Sequence, residues 1–212
     1  MRNWISFVIF PAVVACGSGV STGNSQVADT DTLSRREQTE ILAAEDAATG
    51  VKEEVEARIT AIYEEVFGCY LAHVDDYCEC DFDTPEILSQ DFFALSQKVL
   101  HHDSELGEIG FKDSDHWVQG QDWNIDLAMK LMRTDVVSDS TAHCHIVIQN
   151  CGSKTPLTVV MVKERGCWFI DDFISDFIDD SSAAPTRLSE KTLMQNYLAE
   201  TDSFEIAKTI EN

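Results

Sequence analysis

Apolar side chains recur every three or four residues through the first half of this chain and every second residue through much of the second half, with the change of period near residue 125. The clearest helical run is Val51, Val55, Ile59, Ile62, Val66 and Tyr70, with Glu and Lys between them, which places one apolar stripe against a core. Upstream, residues 34 to 48 predict a polar helix, and Gly50 is expected to end it or to mark a break. A further helix is expected to start at Thr84-Pro85-Glu86, where Thr84 can cap free N–H groups and Pro85 suits a first-turn position that needs none. Its apolar face would be Leu88, Phe92, Leu95 and Val99, with Gly107 and Gly110 closing the helical part. A polar loop carrying Asp113, Asp115, His116 and Trp117 follows.

From about Ile125 the alternation predicts strands near 125 to 136, 141 to 150, 156 to 164 and 167 to 174. Turn signals separate them at Ser138-Asp139, Cys151-Gly152-Ser153-Lys154 and Arg165-Gly166. In the second strand, Ala142, Cys144, Ile146 and Ile148 should point one way and His143, His145, Val147 and Gln149 the other. After Pro185, the residues Leu188, Leu193 and Tyr197 suggest a closing helix, with 201 to 212 as a tail. The class is therefore α+β, N-terminal helices packed on a curved antiparallel sheet of about four strands, with a C-terminal helix.

The extreme N-terminus has a different character. One basic residue, Arg2, precedes an apolar run from Trp4 to Ala15 that is shorter than the roughly 20 residues a membrane span needs. Val13-Val14-Ala15-Cys16 resembles the lipobox of bacterial lipoproteins, whose Cys thiol carries the lipid. The resemblance implies cleavage of a signal peptide, residues 1 to 15, and membrane attachment through Cys16. Residues 17 to 33 have the Gly, Ser, Thr, Asn and Asp composition of a flexible tether, and 16 to 50 is expected to be a lipid-anchored tether with a polar helix. Gly17, where an acid would be a retention or export signal, points to the outer membrane with the domain facing the periplasm.

Charge narrows the partners. Removing Arg2 with the signal leaves 14 of the 15 Lys and Arg residues against 38 Asp and Glu. Such a field repels phosphate backbones and anionic headgroups, which argues against nucleic acid and leaves membrane attachment to the lipid. Six other cysteines, Cys69, Cys78, Cys80, Cys144, Cys151 and Cys167, favour up to three disulfides in an oxidising envelope, Cys69 with Cys78 or Cys80 foremost because they are close in sequence. Cys78-Glu79-Cys80 lacks the spacing of a C-x-x-C redox motif, and no second pair completes a zinc site.

Two segments carry a wider resemblance. Gln119-Gly120-Gln121-Asp122-Trp123 leads into the first strand, and Gly166-Cys167-Trp168-Phe169-Ile170-Asp171-Asp172 follows the last hairpin turn. With two helices followed by an antiparallel meander, residues 51 to 200 resemble the NTF2-like (cystatin-like) superfamily, and more narrowly a family of bacterial envelope lipoproteins of unknown function. Cys167 beside the Trp and Phe173 after the acids depart from that pattern. The resemblance implies a curved sheet wrapped around helices to leave a conical cavity, used by relatives for catalysis, ligand binding or dimer contacts.

The chemistry on offer is sparse. His143 and His145 would lie about 7 Å apart on one strand face and could share a metal, although a solvated outer face is the plainer reading. The acid-rich stretch with Asp171, Asp172, Asp176, Asp179 and Asp180 reads as a solvated turn and lacks the order of a calcium loop. His101-His102 reads as the polar end of a helix. No cofactor and no metal is expected. The sequence favours a non-catalytic module binding a small ligand or an envelope protein, with Trp117, Gln121, Asp122, Trp168 and Asp171 around its pocket. The alternative is an enzyme using Asp122 or Asp171 as acid or base within the cone.

Overall fold

The computed structural model describes residues 29–74, 81–107, 110–111, 114–177 and 186–210. The signal segment, Cys16, Cys78, Cys80, Asp113, Asp179 and Asp180 lie outside them. The chain divides into two units, Met1–Glu40 and Ile41–Asn212, and the core, sheet and cavities described below belong to the second.

The element order is α1 (Asp29–Ala72), α2 (Gln90–Leu106), β1 (Ala128–Ser138), β2 (Thr141–Asn150), β3 (Ser153–Glu164), β4 (Cys167–Phe177), β5 (Thr186–Ser189) and α3 (Glu190–Ile210). The strands form one antiparallel sheet in the order β1-β2-β3-β4-β5, so the α+β class read from the sequence is the observed one, with a fifth strand added. That strand accounts for Leu188, which pairs with Ser175 and does not belong to the closing helix. The helix runs on to Ile210, through most of the expected tail.

α1 is continuous where a break at Gly50 was expected. One glycine costs a helix about 1 kcal/mol relative to alanine, too little to stop a segment of 44 residues. Its stripe Val55, Ile59, Ile62, Tyr63, Val66, Phe67 and Tyr70 is buried, as the periodicity requires.

The start of α2 also differs. Thr84 closes a turn, its carbonyl accepting from the Ile87 and Leu88 N–H groups. Residues Ile87 to Ser89 then lie beside β4, where the Ser89 N–H donates to the Ile170 carbonyl (2.7 Å) and the Ile170 N–H to the Ile87 carbonyl (2.9 Å). Backbone groups bonded sideways cannot also serve the first helical turn, so α2 begins only after Ser89, whose hydroxyl accepts from the Phe92 N–H.

In β2 the expected faces hold: Ala142, Cys144, Ile146 and Ile148 are buried, while the alternate residues are partly exposed. Cys151-Gly152 and Arg165-Gly166 form the two-residue turns on either side of β3, all four with positive φ (48°, 76°, 51° and 82°). Both positions of such a turn need a left-handed backbone, which glycine adopts without steric cost.

This geometry corrects the disulfide expectation. Cys69 is disulfide-bonded, whereas Cys144, Cys151 and Cys167 are free. Cys144 sits in mid-strand between Thr134 and Val159, and Cys151 and Cys167 stand at opposite ends of the 12-residue β3, far beyond the reach of an S–S bond. Burial pushes the Cys144 thiol up to about 12, although a hydrogen bond from Thr134 works the other way.

Candidate functional site

The loop between α2 and β1 is pinned from three sides. Asp115 and Gly120 exchange backbone hydrogen bonds, and the Asp115 carboxylate accepts from the Trp117 N–H (2.7 Å) and from the Tyr70 hydroxyl of α1. Asn150, at the end of β2, donates to the carbonyls of Val118 (3.1 Å) and Asp122 (2.8 Å). Trp123 donates its indole N–H to the Tyr70 carbonyl and packs edge-on against that ring. The Gln119 to Trp123 segment is thus a clamp on the loop, and Gln121 and Asp122 themselves are exposed.

What the clamp presents is His116. Its side chain is only 8% exposed, and its ring stacks on Phe173 of β4 with centroids 4.3 Å apart. Nδ1 hydrogen-bonds Glu190 Oε1 at 2.9 Å. Nε2 lies 3.0 Å from Asp83 Oδ1 in an ion-pair contact. Burial disfavours the imidazolium, yet the Glu190 and Asp83 carboxylates more than offset it and hold the pKa at about 10. His116 is therefore a cation at neutral pH, clamped between an acid before α2 and the first residue of α3.

The two acids are not equally satisfied. Asp83 also accepts from the Ser96 hydroxyl (3.1 Å) and the Trp117 indole N–H (3.3 Å). Glu190 has no partner among the described residues besides His116, and its side chain remains 15% exposed. Beneath the site the Tyr63 hydroxyl is buried without a partner among the described residues, and burial raises its pKa.

His116 separates two half-open cavities of about 240 Å³ each. In the first, the cross-strand row Leu157, Ser175, Leu188 and the neighbouring Phe173 face His116 and Glu190. The second is acidic, with Asp81, Asp83 and Asp115 around Tyr70 and Trp117. A third and more open groove of about 810 Å³ lies along Arg58, Arg165, Trp168 and Phe169.

The expected pocket residues are not brought together. Trp117 is buried at the His116 site, whereas Trp168 borders the third groove, and neither Asp122 nor Asp171 lines any of the three cavities. Asp171 and Asp172 do not form a solvated turn either, because they lie within β4 at a bulge where Val160 opposes Asp172 and Met161 opposes Ile170. Asp171 accepts from Ser89, the cap of α2, at 2.6 Å and from Lys191 Nζ at 2.8 Å. Asp172 accepts from Ser189 at 2.6 Å and from the Lys191 N–H at 3.0 Å, and Ser189 in turn caps the Thr192 N–H of α3. Burial raises the Asp172 pKa, while those hydrogen bonds oppose the rise.

His145 is taken up by Asp135 (3.0 Å) and Thr158 (3.1 Å) on the outer sheet face, and no group of three metal-ligating side chains occurs among the described residues. Asp83, His116 and Glu190 were not expected to form a set. The only local signal was a histidine beside a tryptophan in an acid-rich loop, and its partners are distant in the chain. Comparison with family models, with curated proteins and with solved structures returned no match.

Proposed function

We propose that this chain is a lipid-anchored cell-envelope protein whose NTF2-like domain binds a small molecule in the cavity beside His116 without transforming it. The observation that carries this reading is the clamping of His116. Stacked on Phe173 and held between Glu190 and Asp83, the ring is fixed in place and can orient a bound molecule. The site offers fixed charge, an aromatic and aliphatic wall and an open mouth, which are the elements of a binding pocket.

An enzyme using Asp122 or Asp171 draws no support from the geometry, since the first is exposed and the second is occupied by Ser89 and Lys191. Attachment through Cys16, at the outer membrane facing the periplasm, rests on Val13-Val14-Ala15-Cys16 and Gly17. Among the described residues no helix is long and apolar enough to cross a membrane.

A fragment screen by thermal shift on the full chain tests the pocket. Ligands should raise the melting temperature of the wild type and leave Ser175→Leu, which fills the cavity floor, unmoved. Hits that stabilise both proteins equally, or no hits at all, would overturn the reading.

A further inference from the structure

We infer that the cavity between Glu190 and the Leu157, Ser175, Leu188 row takes a small organic ammonium ion with a compact apolar body. This rests on the reading of that cavity as a ligand site and names the chemistry it would select. One imidazolium between two carboxylates leaves one negative charge over. Asp83 spreads its charge over Ser96, Trp117 and His116, all at 3.3 Å or less. Glu190 gives one oxygen to His116, and Oε2 has no partner among the described residues. The uncompensated charge therefore sits at Glu190, on the cavity wall.

Among the described residues no Lys or Arg lines this cavity. Lys191, next in sequence, is turned to Asp171. Gln119 donates its amide N–H to the His116 carbonyl (2.8 Å), which leaves its side-chain oxygen as a second acceptor beside Glu190. Both acceptors belong to a pocket that also presents Leu157, Phe173, Leu188 and Leu193, with Ser114 and Ser175 among them. A partly desolvated carboxylate favours a cationic donor over a neutral one. The net charge of −23 adds a field that concentrates cations and repels carboxylates. A cavity of about 240 Å³ suits a small amine.

Isopentylamine, isopentanol and isovalerate separate the alternatives, since they present ammonium, hydroxyl and carboxylate on one branched skeleton. Titrated into the full chain at neutral pH and followed by NMR shifts, the amine should bind about tenfold more tightly than the alcohol, and the carboxylate not at all. Glu190→Gln should bring the amine to the level of the alcohol. Because that substitution also touches His116, Ser175→Leu serves as an independent variant, and it should abolish binding of both. Alcohol binding equal to or tighter than amine binding, still lost in Ser175→Leu, would overturn the ammonium assignment and leave the pocket standing. Absence of any probe binding sensitive to Ser175→Leu would remove the pocket itself.

Discussion

His116 concentrates the residue-scale chemistry of this protein. A buried imidazolium is costly unless paired and hydrogen-bonded, and Glu190 and Asp83 supply both, so the ring links the segment before α2, the loop before β1 and the start of α3. Its pKa is raised from 6.5 to about 10 on folding. Between those values the native state holds a proton that the unfolded chain has lost. The stabilisation is therefore complete below pH 6.5 and declines as pH rises toward 10, by at most about 1.4 kcal/mol per pH unit. Urea denaturation at a series of pH values should show this decline, and His116→Gln should flatten it while lowering stability at neutral pH. A wild-type profile that stays level from pH 6.5 to 10 would mean that the ring is not held charged.

At the scale of elements, the paired acids of β4 tie helix starts to the sheet. Asp171 holds Ser89 and Asp172 holds Ser189, so each of two helix caps is itself fixed by a carboxylate of the same strand. A cap contributes about 1 kcal/mol, and leaving a buried hydroxyl or an ammonium without its partner adds a cost of similar size. Asp171→Ala and Asp172→Ala should each lower unfolding stability by about 1–3 kcal/mol in chemical denaturation, the larger loss falling on Asp172, which is the more buried of the two. An effect below about 0.5 kcal/mol in both would show that the caps stand without the sheet. The Gly-x-Trp-x-Ile-Asp-Asp run is on this account an architectural motif, and its Trp168 indole N–H reaches Glu54 of α1 (3.3 Å) in the same manner.

For the whole molecule, the charge balance and the proposed lipid anchor belong together, because a surface this acidic gains nothing from anionic headgroups and needs a hydrophobic attachment. Cys16→Ser should abolish incorporation of labelled palmitate in a lipoprotein-processing bacterium and move the chain from the membrane to the soluble envelope fraction. Retention of label by the variant would sink the anchor. The α+β order, the α1 stripe, the β2 faces and the hairpin turns were all legible in the sequence, since each depends on periodicity or on turn residues within a few positions. Less was legible of the start of α2, because Ile87 and Ser89 take their backbone partners from Ile170, and nothing near Thr84 encodes that.

The same division separates what the sequence by itself determined from what only the tertiary structure decided. Local pattern was enough to place the main helical segments, four of the five strands and the acidic balance, because propensity, burial and charge are carried by each residue and its near neighbours. It also carries the lipobox resemblance at Val13 to Cys16. The site was decided by folding: Asp83, His116 and Glu190 become one charged cluster only when α3 and the segment before α2 close on the loop before β1. Folding also set the carboxylates picked out by motif, Asp122 and Asp171, aside from the cavities. Charge pairing and desolvation act through space, over distances that position in the chain does not record.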